Sequence, residues 1–132
     1  MNKGFTLVEL LAVLFILSVI TILTVPNVIE TNKKTKQTEQ KEFETTIENA
    51  AEIYVETHQN NEEILNLKNP PHQAICISTK KLVDLGLISG YLRNPKDGKT
   101  LNDVRRSVSV TNVTESGNSE VRYTYKQGEN CQ

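Results

Sequence analysis

Apolar residues dominate the first part of the chain, and the pattern turns polar abruptly after them. The run from Phe5 to Ile29 covers 25 residues, and from Leu10 onward it contains no formally charged side chain. A helix of this length would measure roughly 37 Å, which is enough to cross the apolar core of a bilayer. The pattern therefore predicts a transmembrane helix over residues 5–29, in which Glu9 is an anomaly.

A second helical pattern follows within residues 30–58. Apolar side chains recur there at steps of three and four residues, which places them on one face of a helix. They are Phe43, Ile47, Ala50, Ala51 and Tyr54. We expect one continuous helix from Phe5 to about His58, which would be about 80 Å long.

Four glutamates form a ladder at intervals of four residues in the same segment: Glu44, Glu48, Glu52 and Glu56. Their spacing predicts a position roughly opposite the apolar face. Like charges at this spacing weaken an isolated helix. The ladder is either a solvated face, or it meets basic groups in the second half of this chain or on a neighbouring subunit.

Shorter elements are predicted after residue 58. The Pro-Pro pair in residues 59–72 cannot continue a helix, so this segment is expected to be a connecting loop. AICIS is typical of a short strand. The next segment, STKKLVDLG, predicts about two helical turns, with Ser78 or Thr79 as the N-cap and Gly86 just past the end.

The C-terminal part has the signals of turns and strands. The segment NPKDG, residues 94–98, is a turn signal with proline in its second position. RSVSVTNVT and EVRYTYK alternate at period two on either side of ESGNS, which predicts a β-hairpin. A long helix, then small elements, then antiparallel strands indicates the α+β class, with the sheet packed on the apolar face of the helix.

Charge is segregated along a chain whose total is nearly neutral. The 132 residues carry a formal net charge of −1, so whole-chain electrostatics predicts no strong attraction to nucleic acid or acidic lipid. Residues 30–63 hold nine acids against four lysines, and residues 64–132 hold ten basic residues against six acids. A local charge of −5 therefore faces one of +4.

Two features distinguish the apolar run from a secretory signal peptide. It is longer than the usual apolar region of about 7–15 residues, and no A-x-A-like cleavage site follows it. Lys3 precedes the run, which places the N-terminus in the cytoplasm and residues 30–132 outside.

A carboxylate is costly in lipid, so Glu9 is either a functional group or an interfacial side chain that reaches water from the helix N-terminus.

The stretch KGFTLVELLAVLFIL resembles the N-terminal signature of type IV prepilins and their pseudopilin relatives. Those proteins begin with a short basic leader that ends in glycine, followed by Phe-Thr-Leu-x-Glu and a long apolar run. The resemblance covers the leader and the apolar run of this chain. The remainder matches the family only in general plan.

The resemblance implies roles for individual residues. Gly4 would end a leader, residues 1–4, which prepilin peptidase, a membrane aspartic protease, removes on the cytoplasmic side. Phe5 would become the new N-terminus and be N-methylated. Glu9 would pair with the Phe5 ammonium of a neighbouring subunit and set the register of assembly, because a paired charge is tolerable in low dielectric. Pro26 would kink the helix, or it marks a plain helix end at the membrane surface.

The expected organisation is the leader 1–4, a transmembrane and assembly helix 5–29, and an extracellular head domain 30–132. The chain would be a structural subunit of a type IV pilus-like filament. The alternatives are a pseudopilin or minor pilin of a secretion or DNA-uptake machine, and a lone single-pass protein presenting a binding domain. The Gly-Phe…Glu motif argues against the last.

The implied partners are prepilin peptidase, other copies of the chain and related pilins, the membrane assembly platform with its ATPase, and lipid before assembly. The protein would first lie in the bacterial cytoplasmic membrane and then in a surface filament. The basic cluster TNKKTK is interpreted as solvated residues next to the membrane. Arg105 and Arg106 lack aromatic neighbours, so nucleic acid is an unsupported partner.

Neither catalysis nor a cofactor is predicted. The sequence contains no Ser/His/Asp set, paired catalytic carboxylates, phosphate loop or dinucleotide fingerprint. His58 and His72 lack the spacing of metal ligands and are interpreted as surface or loop residues.

The two cysteines, Cys76 and Cys131, lie in no CxxC or Cys/His cluster, so a zinc site is poorly supported. Both lie on the predicted outer side, where oxidation is permitted, and pairing them leaves no odd thiol. We therefore expect a disulfide that ties the chain end to the AICIS strand. The alternative is a thiol at Cys76 in the core and another at Cys131 on a disordered tail.

Overall fold

The computed structural model describes residues 3–131, apart from the side chains of residues 24–29. Contacts divide the chain into two compact units, residues 1–38 and 39–132. The described elements are α1 (Leu7–Thr57), α2 (Glu62–Lys68), β1 (Ile75–Ser78), α3 (Thr79–Asp84), β2 (Ser107–Glu115) and β3 (Asn118–Lys126). The predicted α+β class is confirmed. The boundary expected after residue 29 concerns the membrane and stays a prediction.

The second unit is organised around the last turns of α1, where the predicted apolar face is confirmed. The residues expected on this face are all buried: Phe43, Ile47, Ala50, Ala51 and Tyr54. Val55 is also buried and extends it. Because the chain has no tryptophan and only 5% aromatic residues, the core depends on this stripe and on aliphatic side chains from the other elements.

A three-stranded antiparallel sheet contributes the facing side of the core, in the strand order β1-β2-β3. The central strand β2 buries Val108 and Val110 completely. On β3, the ring of Tyr125 meets the ring of Phe43 edge to face, with 5.8 Å between the ring centroids. The sheet therefore packs on the apolar face of α1, as the sequence predicts.

The predicted hairpin and the predicted cap of α3 are both present. Strands β2 and β3 are joined by Ser116 and Gly117, which have φ angles of 52° and 83°. A two-residue turn with both φ values positive matches the twist of the flanking strands. The Ser78 hydroxyl accepts a hydrogen bond from a backbone N–H of α3 at 3.3 Å, and Gly86 follows the helix at a φ of 71°.

The prediction that residues 59–72 form only a loop is wrong, because α2 lies within them. The side-chain oxygen of Asn61 accepts a hydrogen bond from the Glu63 N–H at 3.0 Å and so caps the helix. Ile64 and Leu67, three residues apart, are buried in the core. Burial of one apolar face stabilises this short helix, and the proline pair follows its end instead of preventing it.

The prediction that the glutamate ladder lies opposite the apolar face is also wrong, because the ladder winds around α1. Each step of four residues advances about 40° beyond a full turn. The first two glutamates are consequently half-buried, and Glu48 Oε1 accepts the Tyr125 N–H of β3 at 2.9 Å. Among the described residues, Glu56 alone of the four forms an ion pair, with Lys68 Nζ at 3.5 Å.

The contact between the ladder and β3 predicts a loss of stability at high pH. Burial raises the pKa of Tyr123 to about 12, and the carboxylates of Glu52 and Glu56 add to the rise. An unfolded chain releases the tyrosine proton near pH 10, at about the ordinary pKa, whereas the folded protein keeps it. Between about pH 10 and pH 12 the folded state binds more protons, so the free energy of unfolding falls as pH rises.

In chemical denaturation experiments, Tyr123→Phe should make this fall shallower. The matched variant Tyr91→Phe removes a tyrosine that is 82% exposed, so it should leave the fall unchanged. Equal slopes in the wild type and in Tyr123→Phe would contradict the assignment.

Candidate processing and assembly segment

The chain is irregular and exposed around the predicted cleavage point. Residues 3–6 belong to no helix or strand and are exposed. The Phe5 side chain is 81% exposed, and a Cβ added at Gly4 would meet no atom within 4 Å. A peptidase needs access to the backbone, and the residues on both sides of the Gly4–Phe5 bond are exposed in this chain.

Thr6 fixes the start of α1 and positions Glu9. Its hydroxyl oxygen accepts a hydrogen bond from the Glu9 N–H at 3.3 Å, and its carbonyl accepts the Leu10 N–H at 3.1 Å. Thr6 is therefore the N-cap, and Glu9 lies at the third helical position, where the helix dipole favours a carboxylate. Thr6 is absent from the predicted site residues, although a threonine three residues before a glutamate is a known signal of a helix start.

The helix that follows is apolar on all sides. The large side chains between Phe5 and Leu23 are 42% to 82% exposed. Its hydroxyl groups are satisfied internally: Ser18 and Thr21 each donate to the carbonyl four residues earlier, at 2.7 Å. An apolar surface of this extent requires a cover of lipid or protein.

The transmembrane helix expected over residues 5–29 stays a prediction. Within residues 3–131, with the gap in side chains at 24–29, no helix is both long enough and apolar enough to cross a membrane. The predicted kink at Pro26 lies outside the described residues.

The predicted disulfide is present in the second unit. Cys76 and Cys131 are joined with an S–S distance of 2.09 Å and a Cα–Cα distance of 5.9 Å. The Ser107 hydroxyl donates to the Gly128 carbonyl and accepts the Cys131 N–H at 2.9 Å. Glu129 pairs with Arg105 at 3.0 Å. The C-terminal tail is thus held by β1, by β2 and by an ion pair, and the disordered-tail alternative is wrong.

The two histidines have neighbours that account for their positions. The ring of His58 stacks on Tyr54 with 4.4 Å between centroids. His72 Nδ1 lies 3.2 Å from the Leu67 carbonyl oxygen and 3.2 Å from Asn112 Nδ2. Across the described part of the chain, no three His, Cys, Asp or Glu residues are grouped to hold a metal ion. Both histidines are half-buried loop residues that support packing.

Comparison with known proteins identifies the N-terminal segment. Residues 1–25 match the family model described as the prokaryotic N-terminal methylation motif. The matched range contains Gly4, Phe5 and Glu9. The match supports the type IV prepilin and pseudopilin family, whose members are structural subunits of the pilin type. No curated protein and no solved structure matches the chain.

The disulfide should account for a large part of the stability of the second unit. Its two cysteines are 55 residues apart in sequence. Closing a loop of this length stabilises a fold by roughly 4 kcal/mol in the chain-entropy description, and by less if the unfolded chain is already compact. The double variant Cys76→Ser/Cys131→Ser should lose this free energy of unfolding, measured by denaturation of the full chain in mild detergent.

Treatment with reductant serves as the matched control for this measurement. It should destabilise the wild type by a similar amount and leave the double variant unchanged. A wild type whose unfolding is insensitive to reductant would show that the bond does not contribute.

Proposed function

We propose that this protein is a structural subunit of a type IV pilus-like filament. The observation that carries the proposal is the methylation motif over residues 1–25, together with the exposed apolar surface of the helix that begins within it. Residues 5–29 would anchor the precursor in the cytoplasmic membrane with the N-terminus inside. Residues 30–132 would lie outside and become the head of the subunit in a surface filament.

The first step is proteolysis by prepilin peptidase between Gly4 and Phe5, followed by N-methylation of Phe5. The exposure of residues 3–6, which belong to no helix or strand, supports this step. Glycine at the cleaved position leaves room for close approach of a protease to the backbone. The membrane assembly platform and its ATPase would then move the mature chain from lipid into the filament, beside other copies and related pilins.

The second step uses the charge that cleavage creates. A new α-ammonium at Phe5 needs a counter-charge where water is scarce, and the Glu9 carboxylate of a neighbouring copy supplies it. Glu9 also stands in the first turn of its own helix, next to the Thr6 cap. Its role in assembly therefore has to be separated from a role in helix capping.

The methylation motif supports a second candidate equally well. A pseudopilin or minor pilin of a secretion or DNA-uptake machine would carry the same N-terminus, undergo the same cleavage and use the same carboxylate. The two candidates differ in the length and abundance of the assembly.

Intact-mass measurement of the chain extracted from membranes tests the cleavage. We expect a mature species that lacks Met1 to Gly4 and carries one methyl group on Phe5. Co-expression with a peptidase inactivated at its catalytic aspartates is the control and should yield the full-length chain. A chain that keeps Met1 beside an active peptidase would contradict the proposal.

Two substitutions at Glu9 separate assembly from capping. Glutamine retains the capping ability of glutamate at this helical position but has no charge, whereas valine removes both. If Glu9 pairs with the Phe5 ammonium, Glu9→Gln and Glu9→Val should both be inserted and cleaved but fail to assemble, because an unpaired buried charge costs about 3–5 kcal/mol.

Thr6→Ala is the matched control for this pair, because it removes the cap and keeps the carboxylate. It should cost about 1 kcal/mol of helix stability and leave assembly largely intact. Normal filament yield from Glu9→Gln would show that capping, and not charge, is the role of Glu9.

A further inference from the structure

Residues 91–99, here called the basic loop, form an ordered projection between α3 and β2. Arg93 and Thr100 pair across it in antiparallel fashion, and the Asn94 N–H donates to the Lys99 carbonyl at 2.9 Å. The turn predicted at NPKDG closes the tip, where the Gly98 N–H donates to the Asn94 carbonyl at 2.8 Å. The side chain of Asn94 is buried beneath the loop. The loop is therefore held in one conformation by its own hydrogen bonds.

The acids in and beside the basic loop accept hydrogen bonds from groups of the same chain. Asp97 accepts hydrogen bonds from the Lys99 N–H at 2.9 Å and from Arg106 Nη2 at 2.6 Å. The Lys99 N–H, followed by Arg106, lowers the pKa of Asp97. Asp103 accepts from the N–H and the hydroxyl of Thr100 at 3.1 and 2.8 Å. Both acids are exposed, but these hydrogen bonds tie the carboxylate of Asp97 to Arg106 and that of Asp103 to Thr100.

The basic side chains of the loop are exposed as well, and the Arg93 guanidinium lies across the loop, where Nη1 donates to the Gly98 carbonyl. Arg93, Lys96 and Lys99 are exposed, and within the described residues none of them forms an ion pair. Tyr91 is 82% exposed beside them. A rigid surface with three cations and an aromatic ring results, although the whole chain is slightly acidic.

The outer half of α1 carries the opposite charge. Residues 39–57 contain six glutamates and one lysine. Three of these glutamates, Glu39, Glu42 and Glu52, are exposed and have no ion-pair partner in the part of the chain that the structure describes. They lie along about 20 Å of the helix, within a sector of about 140°, and are here called the acidic face. No ion pair among the described residues joins the basic loop to the acidic face of the same copy.

We infer that the basic loop of one copy binds the acidic face of a second copy. The two surfaces differ, so their contact is heterologous, and a heterologous contact that does not close into a ring repeats into an open helical assembly. Opposite charges across such a contact fix its orientation and exclude other arrangements. The inference rests on the proposed function and names the contact that would order the heads along the filament.

A second copy fits the basic loop better than an anionic polymer does. Binding to nucleic acid gains its strength from many cations along a groove, usually with several aromatic rings for stacking. The loop offers three cations and one ring, and the net charge of −1 opposes attraction to a long polyanion. The acidic face, in contrast, offers a matching number of separate carboxylates on the same kind of chain.

Cross-linking between two tagged forms of the full chain tests the contact in cells. One form carries Lys96→Cys and the other carries Glu52→Cys, and both are expressed together with the assembly machinery. A short bis-maleimide reacts with the new thiols and not with the Cys76–Cys131 disulfide. We expect a mixed dimer at a yield at least about tenfold above that of the cross-linked homodimers in cells expressing either form alone, as expected for a specific contact worth more than about one tenfold step in affinity.

Charge reversal added to these forms tests the electrostatic pairing. Lys99→Glu in the first form should lower the mixed dimer at least about fivefold, because it places like charges opposite each other. Adding Glu42→Lys to the second form should restore most of the yield. Lys80→Glu, an equal charge change at an exposed lysine outside the loop, is the matched control and should have little effect.

Filament formation is followed in parallel by immunogold labelling, so that the two proposals can fail separately. Labelled filaments without a mixed dimer overturn the contact and leave the proposed function standing. A mixed dimer without filaments supports the contact and overturns the filament. In a third outcome, Lys99→Glu abolishes the dimer, Glu42→Lys fails to restore it, and the wild type binds an anionic polymer. That result would overturn the contact and show that the loop binds another partner.

Discussion

The burial of one apolar stripe on the outer half of α1 is the constraint on which the rest of the second unit depends. A small antiparallel sheet needs a hydrophobic face or a helix to pack against before it is stable. The helix offers a surface made of Phe43, Tyr54 and the apolar residues between them, and β2 and β3 pack against it. The edge strand is fixed to the same helix by polar contact, since the backbone N–H of Tyr125 donates to Glu48.

The N-terminal half of α1 obeys the opposite constraint. Its large apolar side chains are exposed between Phe5 and Leu23, so the chain leaves their burial to its surroundings. In the proposed function, lipid covers them before assembly and the same helices of other copies cover them afterwards. A lone carboxylate at Glu9 fits both surroundings only if it is paired when water is lost. The second unit buries its own core, whereas the apolar helix before it is exposed. Together with the methylation motif, this contrast supports the proposal of a subunit that is held in the membrane and then polymerised.

The features that the sequence predicts well are those encoded by short-range patterns. The stripe on α1 follows from steps of three and four residues, the hairpin from alternation around Ser116-Gly117, and the cap of α3 from Ser78. The disulfide follows from having two cysteines on the same side of the predicted membrane. Each of these depends on local spacing or on a simple count, so tertiary contacts have little opportunity to override them.

The features that were missed depend on where elements meet in space. The proline pair predicts a loop over residues 59–72. Burial of Ile64 and Leu67 in the core stabilises α2 within this segment instead. The position of the glutamate ladder is predicted from its spacing alone. This prediction omits the rotation of about 40° per step, which brings Glu48 to the sheet. The pairing of Asp97 with Arg106 could not be predicted from the sequence, because the fold brings the two residues together.

The most direct test of the filament account is immunogold electron microscopy of cells, using an antibody to residues 30–132. The account predicts labelled surface fibres that disappear when prepilin peptidase is inactivated, while the uncleaved chain accumulates in the membrane. Label that stays dispersed over the cell membrane, with an active peptidase and assembly machinery present, would contradict it.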